Sequence, residues 1–340
     1  MNKGYIITGI GGHLGNTIAG MLTAQGAEVR GLAMPDEKCE MLDSSVKIIR
    51  GDVRDISSVE PLFTGWEEGC RVTVIHAAGI ITISSKFNQN VVDVNVGGTK
   101  NIIELCKRHS VSKLVYISSV HAIKESPKSK QISETGSFSA AQVKGLYAKT
   151  KAEATRLVLD SAKEGLNVSV VHPSGIIGPN DYGSGHMTQM VIDYVKGVIR
   201  AAVRGGFDFV DVRDVADGVL KAAENGKSGE GYILSNQYIP VKNLLNILHE
   251  LTGRKKIKIV LPMWLVKIFE PLAVLYFKVR KLRPLFTSYM LDTLKSNSNF
   301  SHEKASRELG YKPRDLRITL VDTVKFLTKT GRIRLLTNHT

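Results

Sequence analysis

The residues Thr8-Gly9-Ile10-Gly11-Gly12-His13-Leu14-Gly15 constrain the fold of this chain more than any others. An apolar run over residues 4–10 ends in glycines, and from Leu14 the apolar side chains recur at Ile18, Met21 and Leu22, the three-and-four spacing of a helix. A strand that turns this sharply into a helix needs residues without Cβ where the backbone doubles back. The turn also directs the free N–H groups of the helix start at one point, where a phosphate anion is held. Alone, the pattern also describes a plain strand-to-helix connection. Its place on the first strand of a βαβ unit is what gives it weight.

The same rhythm continues for about 175 residues. Strands are predicted at Ala27–Met34, around Val46–Ile49, and at Val72–His76, Lys113–Ser118 and Asn167–His172; helices are predicted at Val92–Arg108 and Tyr147–Glu164. Strands alternating with long helices require right-handed crossovers and hence a parallel sheet. The expected class is α/β, a doubly wound parallel sheet over residues 1–178 to which 205–235 returns, with a smaller mixed, mainly helical substrate-binding domain from 179–204 and 236–334. No internal repeat or low-complexity tract interrupts it.

The 340 residues are 43% hydrophobic and 23% charged, a globular composition with enough apolar surface for a sizeable core. Cys39, Cys70 and Cys106 stand far apart in no metal-binding spacing, so neither a disulfide framework nor a metal site is expected, and the compartment reads as reducing. The N-terminus lacks the pattern of a signal peptide, and the most apolar stretch, Leu261–Val279, is broken by Pro262, Lys267, Glu270, Pro271 and Lys278, so the expectation is a cytoplasmic protein. The net charge of +14 is uneven: residues 1–253 carry 27 basic and 26 acidic side chains, residues 254–334 carry 19 and 6. Such a stripe suits nucleic acid, a membrane surface or an anionic substrate, and is equally an ordinary solvated surface. Without an aromatic-basic platform or a reading helix, no specific nucleic-acid partner is expected.

Tyr147 and Lys151 lie four apart, which on a helix puts them on one face, where the ammonium lowers the phenol's pKa from its free value of roughly 10 toward acid/base work. The same spacing is common on solvated helices. Tyr116-Ile117-Ser118-Ser119 ends a strand with two hydroxyls at the edge where ligands sit in such sheets, or with a cap for the next turn.

Taken together these residues resemble the extended short-chain dehydrogenase/reductase family over nearly the whole chain. The matching motifs follow the family's order: Thr8 to Gly15, Gly51-Asp52-Val53-Arg54-Asp55, His76-Ala77-Ala78-Gly79, Asn95-Val96-Gly97-Gly98-Thr99, Ser118-Ser119, Tyr147 with Lys151, His172-Pro173-Ser174-Gly175, Phe209 to Ala216 and Leu309 to Pro313. The resemblance implies a Rossmann fold binding NAD or NADP. Gly9, Gly12, His13, Leu14 and Gly15 would then cradle the pyrophosphate, and Asp52 and Val53 would contact adenine. Ala77, Ala78, Gly79 and Pro173 would line the ribose and nicotinamide side. It further implies that Ser119 holds the substrate oxygen, Tyr147 exchanges its proton and Lys151 holds the nicotinamide ribose. Asn95 is either catalytic or a structural residue of its crossover helix, and a homodimer would form through the helices around Ile102 and Leu157.

Cofactor choice usually rests on an acid at the end of the second strand. Here Ala33 and Met34 occupy that place, with Arg30, Asp36 and Lys38 nearby, so both NAD and NADP stay open. The segments Val120-His121-Ala122-Ile123 and His172 to Pro179 are more similar to those of dihydroflavonol reductases and 3β-hydroxysteroid dehydrogenase-like proteins than to those of sugar epimerases. The implied activity interconverts a secondary alcohol and a ketone on a hydrophobic ring. The alternatives are a nucleotide-sugar epimerase or dehydratase and a non-catalytic cofactor-binding regulatory protein. The segment Leu261–Lys281, expected as a helix kinked at Pro271, reads as an ordinary packed helix, a pocket wall or, least favoured, a membrane contact.

Overall fold

The protein's structure is a computed structural model that describes residues 2–83, 86–183, 185–266, 268 and 288–335. Strands Lys3–Thr8 (β1), Glu28–Ala33 (β2), Lys47–Arg50 (β3), Arg71–His76 (β4), Lys113–Ile117 (β5) and Val168–Pro173 (β6) form within a residue or two of their predicted bounds. Later come Gly175–Ile177 (β7), Ala202–Val203 (β8), Gly206–Asp211 (β9), Glu230–Leu234 (β10), Gln237–Pro240 (β11) and Val260–Leu261 (β12). The central sheet runs β3-β2-β1-β4-β5-β6-β10, every neighbouring pair parallel. Its order reverses between β1 and β4, and that switch point is where an open α/β sheet leaves a crevice at its carboxyl edge.

The strands read as continuous apolar runs because both faces are covered. Ile6 and Ile7 are both fully buried. Ile7 packs toward Ile18, Val215 and Ala216, while Ile6 packs toward Ile102 and Leu114 on the opposite face. The helix His13–Thr23 and the helix Val212–Asn225 cover the first face; Gly98–Arg108 and Leu146–Lys163 cover the second.

Two local expectations change. The predicted helix from Val92 contains a π turn at Asp93–Gly97, wide geometry that often marks functional sites. Residues 206–211 do not enter the central sheet; β9 pairs with β7 and β11 in a separate three-stranded sheet, and the helix Val212–Asn225 with β10 makes the return. A sequence cannot distinguish these, because β9 is buried along its whole length in either sheet. Beyond them, β8 and β12 form a two-stranded sheet beside the helices His186–Val195, Val241–Thr252 and Leu316–Lys329. The kink expected at Pro271 lies outside the described residues. Among the described residues no helix is long and apolar enough to cross a membrane.

Candidate active site

The strand ends meet at one edge. Register pairs Thr8 with His76, His76 with Tyr116, Ile117 with Val171 and Pro173 with Leu234, so β1, β4, β5, β6 and β10 stop nearly in step. At the head of β1, Gly9 has φ +70, and a Cβ there would come within 2.9 Å of the Ala78 backbone. A Cβ on Gly15 would lie 2.1 Å from the Gly9 carbonyl oxygen, and one on Gly12 3.2 Å from it. The helix that follows starts at His13 with no side-chain cap and no acid in its first turn. The N–H groups of His13, Leu14 and Gly15 have no carbonyl one turn earlier to bind, so they face the hollow the glycines leave. That hollow fits a diphosphate. His13 turns its ring elsewhere: Nε2 bonds the Pro179 carbonyl at 2.8 Å, and Asn16 Nδ2 donates to the Gly12 and Asn180 carbonyls, fixing the turn to the loop after β7.

An ordered chain of hydrogen bonds joins this cradle to the π turn. Thr99 Oγ1 gives its proton to the Asn95 carbonyl at 2.7 Å, so toward His76 Nε2 (3.1 Å) it accepts. His76 therefore carries its proton on Nε2, and Nδ1 accepts from Thr8 Oγ1 at 2.7 Å, whose oxygen in turn accepts from Ala78 N at 3.2 Å. Burial, aided by the Lys151 charge, pulls the His76 pKa down to about 3, which keeps this single tautomer. Asn95 closes the far end: Oδ1 accepts from Ile80 N at 2.8 Å, and Nδ2 donates to Ile80 O and Thr150 Oγ1. Gly79 lies between, and a Cβ on it would reach Asn95 Oδ1 at 3.2 Å and Lys151 Nζ at 3.5 Å.

Ser119, Tyr147 and Lys151 come together from the end of β5 and the first turn and a half of the helix Leu146–Lys163, which Gly145 (φ +88) introduces. The Ser119 hydroxyl, which lowers the Tyr147 phenol's pKa, accepts the His121 N–H at 3.2 Å. Lys151 Nζ donates to the Ile117 carbonyl at 2.7 Å and lies 3.4 Å from the Tyr116 hydroxyl. Burial pushes the Tyr147 phenol up to about 12, opposed by Ser119, and pulls the Lys151 ammonium down to about 7. Sequence spacing leads one to expect a phenol lowered by the lysine; in the protein alone, burial outweighs that attraction for both groups.

This electrostatic cost is measurable. Lys151→Met keeps the stem and removes the buried charge, so at pH 7 the cofactor-free variant is expected to be about 1–3 kcal/mol more stable in denaturant unfolding, net of the lost bond to Ile117. The folded lysine titrates near 7 and the unfolded one near 10.5. Between those values the unfolded chain binds more protons, so the wild type gains stability as pH rises and the gap closes. A gap that widens with pH would contradict this assignment.

The remaining candidates line the same edge. Asp52 follows β3 with its carboxylate paired to Arg54, which holds it below the usual range, and Val53 packs on Gly98. Pro173 ends β6, and the buried His172 before it places Nδ1 3.3 Å from the Ser119 carbonyl. Of the residues near Met34, Arg30 is turned away: it is buried, pairs with Glu28, donates to the Thr64 and Gly65 carbonyls and sits 3.6 Å over the Trp66 ring. Glu37, which the sequence reading passed over, is the acid that reaches the turn. Its Oε2 accepts the Met34 N–H at 3.1 Å, and Oε1 is 2.4 Å from where a Gly11 Cβ would sit. Its signal was an acid four residues past the strand end, in a loop of unpredictable path. Among the described residues no group of three His, Cys, Asp or Glu is placed to hold a metal ion.

Beyond Tyr147 the site becomes aromatic. The His121 ring stands edge-on to Tyr147 at 6.1 Å and stacks on Phe207 at 5.4 Å, and Phe207 meets Phe209 and Phe300 edge-on. Desolvation pulls His121 down to about 4, so this wall is uncharged at neutral pH.

Comparison with known proteins agrees with this geometry. The chain is 30% identical to sterol demethylase protein B of Methylococcus capsulatus, covering 96% of this chain and 99% of that protein. It is 27% identical to a putative dihydroflavonol 4-reductase of Synechocystis sp., covering 97% and 96%. The crystal structure of gox2253 superposes with a TM-score of 0.84 at 28% identity, over 98% of this chain and all of that one. The sequence profile of the NAD dependent epimerase/dehydratase family matches residues 5–235, more than half of the chain. The chain therefore belongs to the NAD dependent epimerase/dehydratase family, as an enzyme of the extended short-chain dehydrogenase/reductase type.

Proposed function

We propose that the protein interconverts a secondary alcohol and a ketone on a hydrophobic, ring-containing small molecule, steroid- or flavonoid-like, by Ser119, Tyr147 and Lys151. The observation that carries this reading is the uncharged aromatic wall of His121, Phe207, Phe209 and Phe300 beginning beside the Tyr147 ring. Uncharged aromatic surroundings suit a flat apolar ring, whereas a sugar diphosphate would require cations and hydroxyl partners. The names of two relatives, a sterol demethylase protein and a putative dihydroflavonol reductase, point the same way.

When bound, NAD would supply the acceptor or donor of the hydride. In the oxidation the carbinol loses its C–H hydrogen as hydride and its O–H proton to the Tyr147 oxygen; the reduction reverses both. Ser119 donates to the substrate oxygen and orients it toward Tyr147. Lys151, anchored on Ile117, would hold the nicotinamide ribose and supply positive charge next to the phenol. Asn95 is a positioning residue, keeping Ile80 and hence Gly79 in place. Glu37, near Gly11, would accept hydrogen bonds from the adenosine ribose diol and oppose a ribose phosphate, which favours NAD over NADP. The described residues within 179–204 and 236–334 would form the substrate-binding part. A homodimer would use the outer faces of the helices around Ile102 and Leu157, Ile102 itself being buried against the sheet.

The test is nicotinamide absorbance with NAD⁺ or NADP⁺ and separate pools of ring alcohols and nucleotide sugars. Net NADH from a steroid or flavonoid alcohol, at least about tenfold faster than NADPH, is the expected result. A sugar nucleotide converted without net reduced cofactor would replace this reading with an epimerase.

A further inference from the structure

Away from the active site, one edge of the molecule exposes apolar and basic side chains together. β8 and β12 pair with Ala202 against Val260 and Val203 against Leu261. Their inner side packs on Met263, Leu291 and Leu294. The residues flanking these strands face outward: Val198 is 47% and Ile259 59% exposed. In the helical turn after β12, Met263 points inward, while Trp264 and Ile268, four apart on one face, are 64% and 62% exposed. Ordinary surface helices show the reverse pattern. Lys255, Lys256 and Lys258 lie exposed just before β12, and Arg200 and Arg204 lie exposed on either side of β8. Residues 194–204 and 251–266 contain no Asp or Glu.

We propose that this edge docks on an anionic lipid surface. Trp264, Ile268 and Ile259 enter the headgroup layer, and Lys255, Lys256 and Lys258 meet lipid phosphates. Charge complementarity selects the occupant: a second copy would bring cations against cations, and one tryptophan, Trp264, among aliphatic side chains is no platform for the successive bases of a nucleic acid. The assignment is independent of the substrate taken at Tyr147.

The full-length protein is mixed with vesicles of phosphatidylcholine alone or with about a third phosphatidylserine, and sedimentation is measured. Binding to the anionic vesicles is expected to be at least about tenfold tighter, and Lys255→Glu with Lys256→Glu and Lys258→Glu to weaken it roughly a hundredfold. The chain has two tryptophans; Trp66 lies beneath the Arg30 guanidinium, so Trp264 alone should report a blue shift, retained in Trp66→Phe. Trp264→Ala with Ile268→Ala should leave only an attraction that added salt abolishes. Unchanged melting temperatures establish that these surface variants fold. The proposal is overturned by equal sedimentation of the charge-reversed and native proteins, by an absent blue shift at saturating anionic vesicles, or by tighter binding to duplex DNA than to vesicles at equal phosphate.

Discussion

Tyr147→Phe is expected to lower turnover by about three to four orders of magnitude while leaving NAD affinity within about threefold. The ring is almost fully buried and its edge contact with His121 survives the change, so only the oxygen is lost. Ser119 keeps the His121 N–H as partner and stays in place. Turnover is read by nicotinamide absorbance and affinity by calorimetry, which separates chemistry from binding. Direction also matters. With burial pushing the phenol to about 12 and pulling Lys151 to about 7, the acid form of the phenol and the lysine charge coexist only at lower pH, so ketone reduction should be fastest toward pH 6 while alcohol oxidation rises with pH. A loss below about tenfold in Tyr147→Phe would move the proton transfer to another group.

Much of this was legible in the residues because the relevant chemistry is local. The glycines at 9, 12 and 15 sit where backbone meets backbone, and Tyr147 and Lys151 are one helical turn apart, so spacing alone brings each set together. What spacing cannot carry is the path of a loop or the choice between two sheets. Glu37 reaches the turn only because residues 34–37 fold back, with Glu37 N bonded to Met34 O at 3.1 Å. Arg30 pointed to cofactor choice by its position on β2, yet alternation along the strand sends it to Trp66 instead. The sign of the Tyr147 shift was likewise hidden, since it depends on burial, a property of the whole fold.

The Gly15→Ala substitution separates the demands of the turn from those of the helix it opens. Its Cβ would stand 2.1 Å from Gly9 O and 2.9 Å from Ile10 Cα, both backbone atoms, so no side chain can swing aside to relieve it. Gly9 cannot retreat either, because it already lies against the Ala78 backbone, and its carbonyl accepts the Gly12 N–H at 3.1 Å. The helix start must therefore shift outward, carrying the N–H groups of His13 and Leu14 away from the diphosphate. The expected results are an NAD dissociation constant raised about a hundredfold and a stability loss of about 1–3 kcal/mol. Gly20→Ala is the control, because it lies in the same helix with nothing within 4 Å of its Cβ. It should gain about 0.5–1 kcal/mol from helix propensity and leave NAD affinity unchanged. If Gly15→Ala instead bound NAD within about threefold of the native protein, the cradle would hold its anion through side chains rather than through the helix N-terminus.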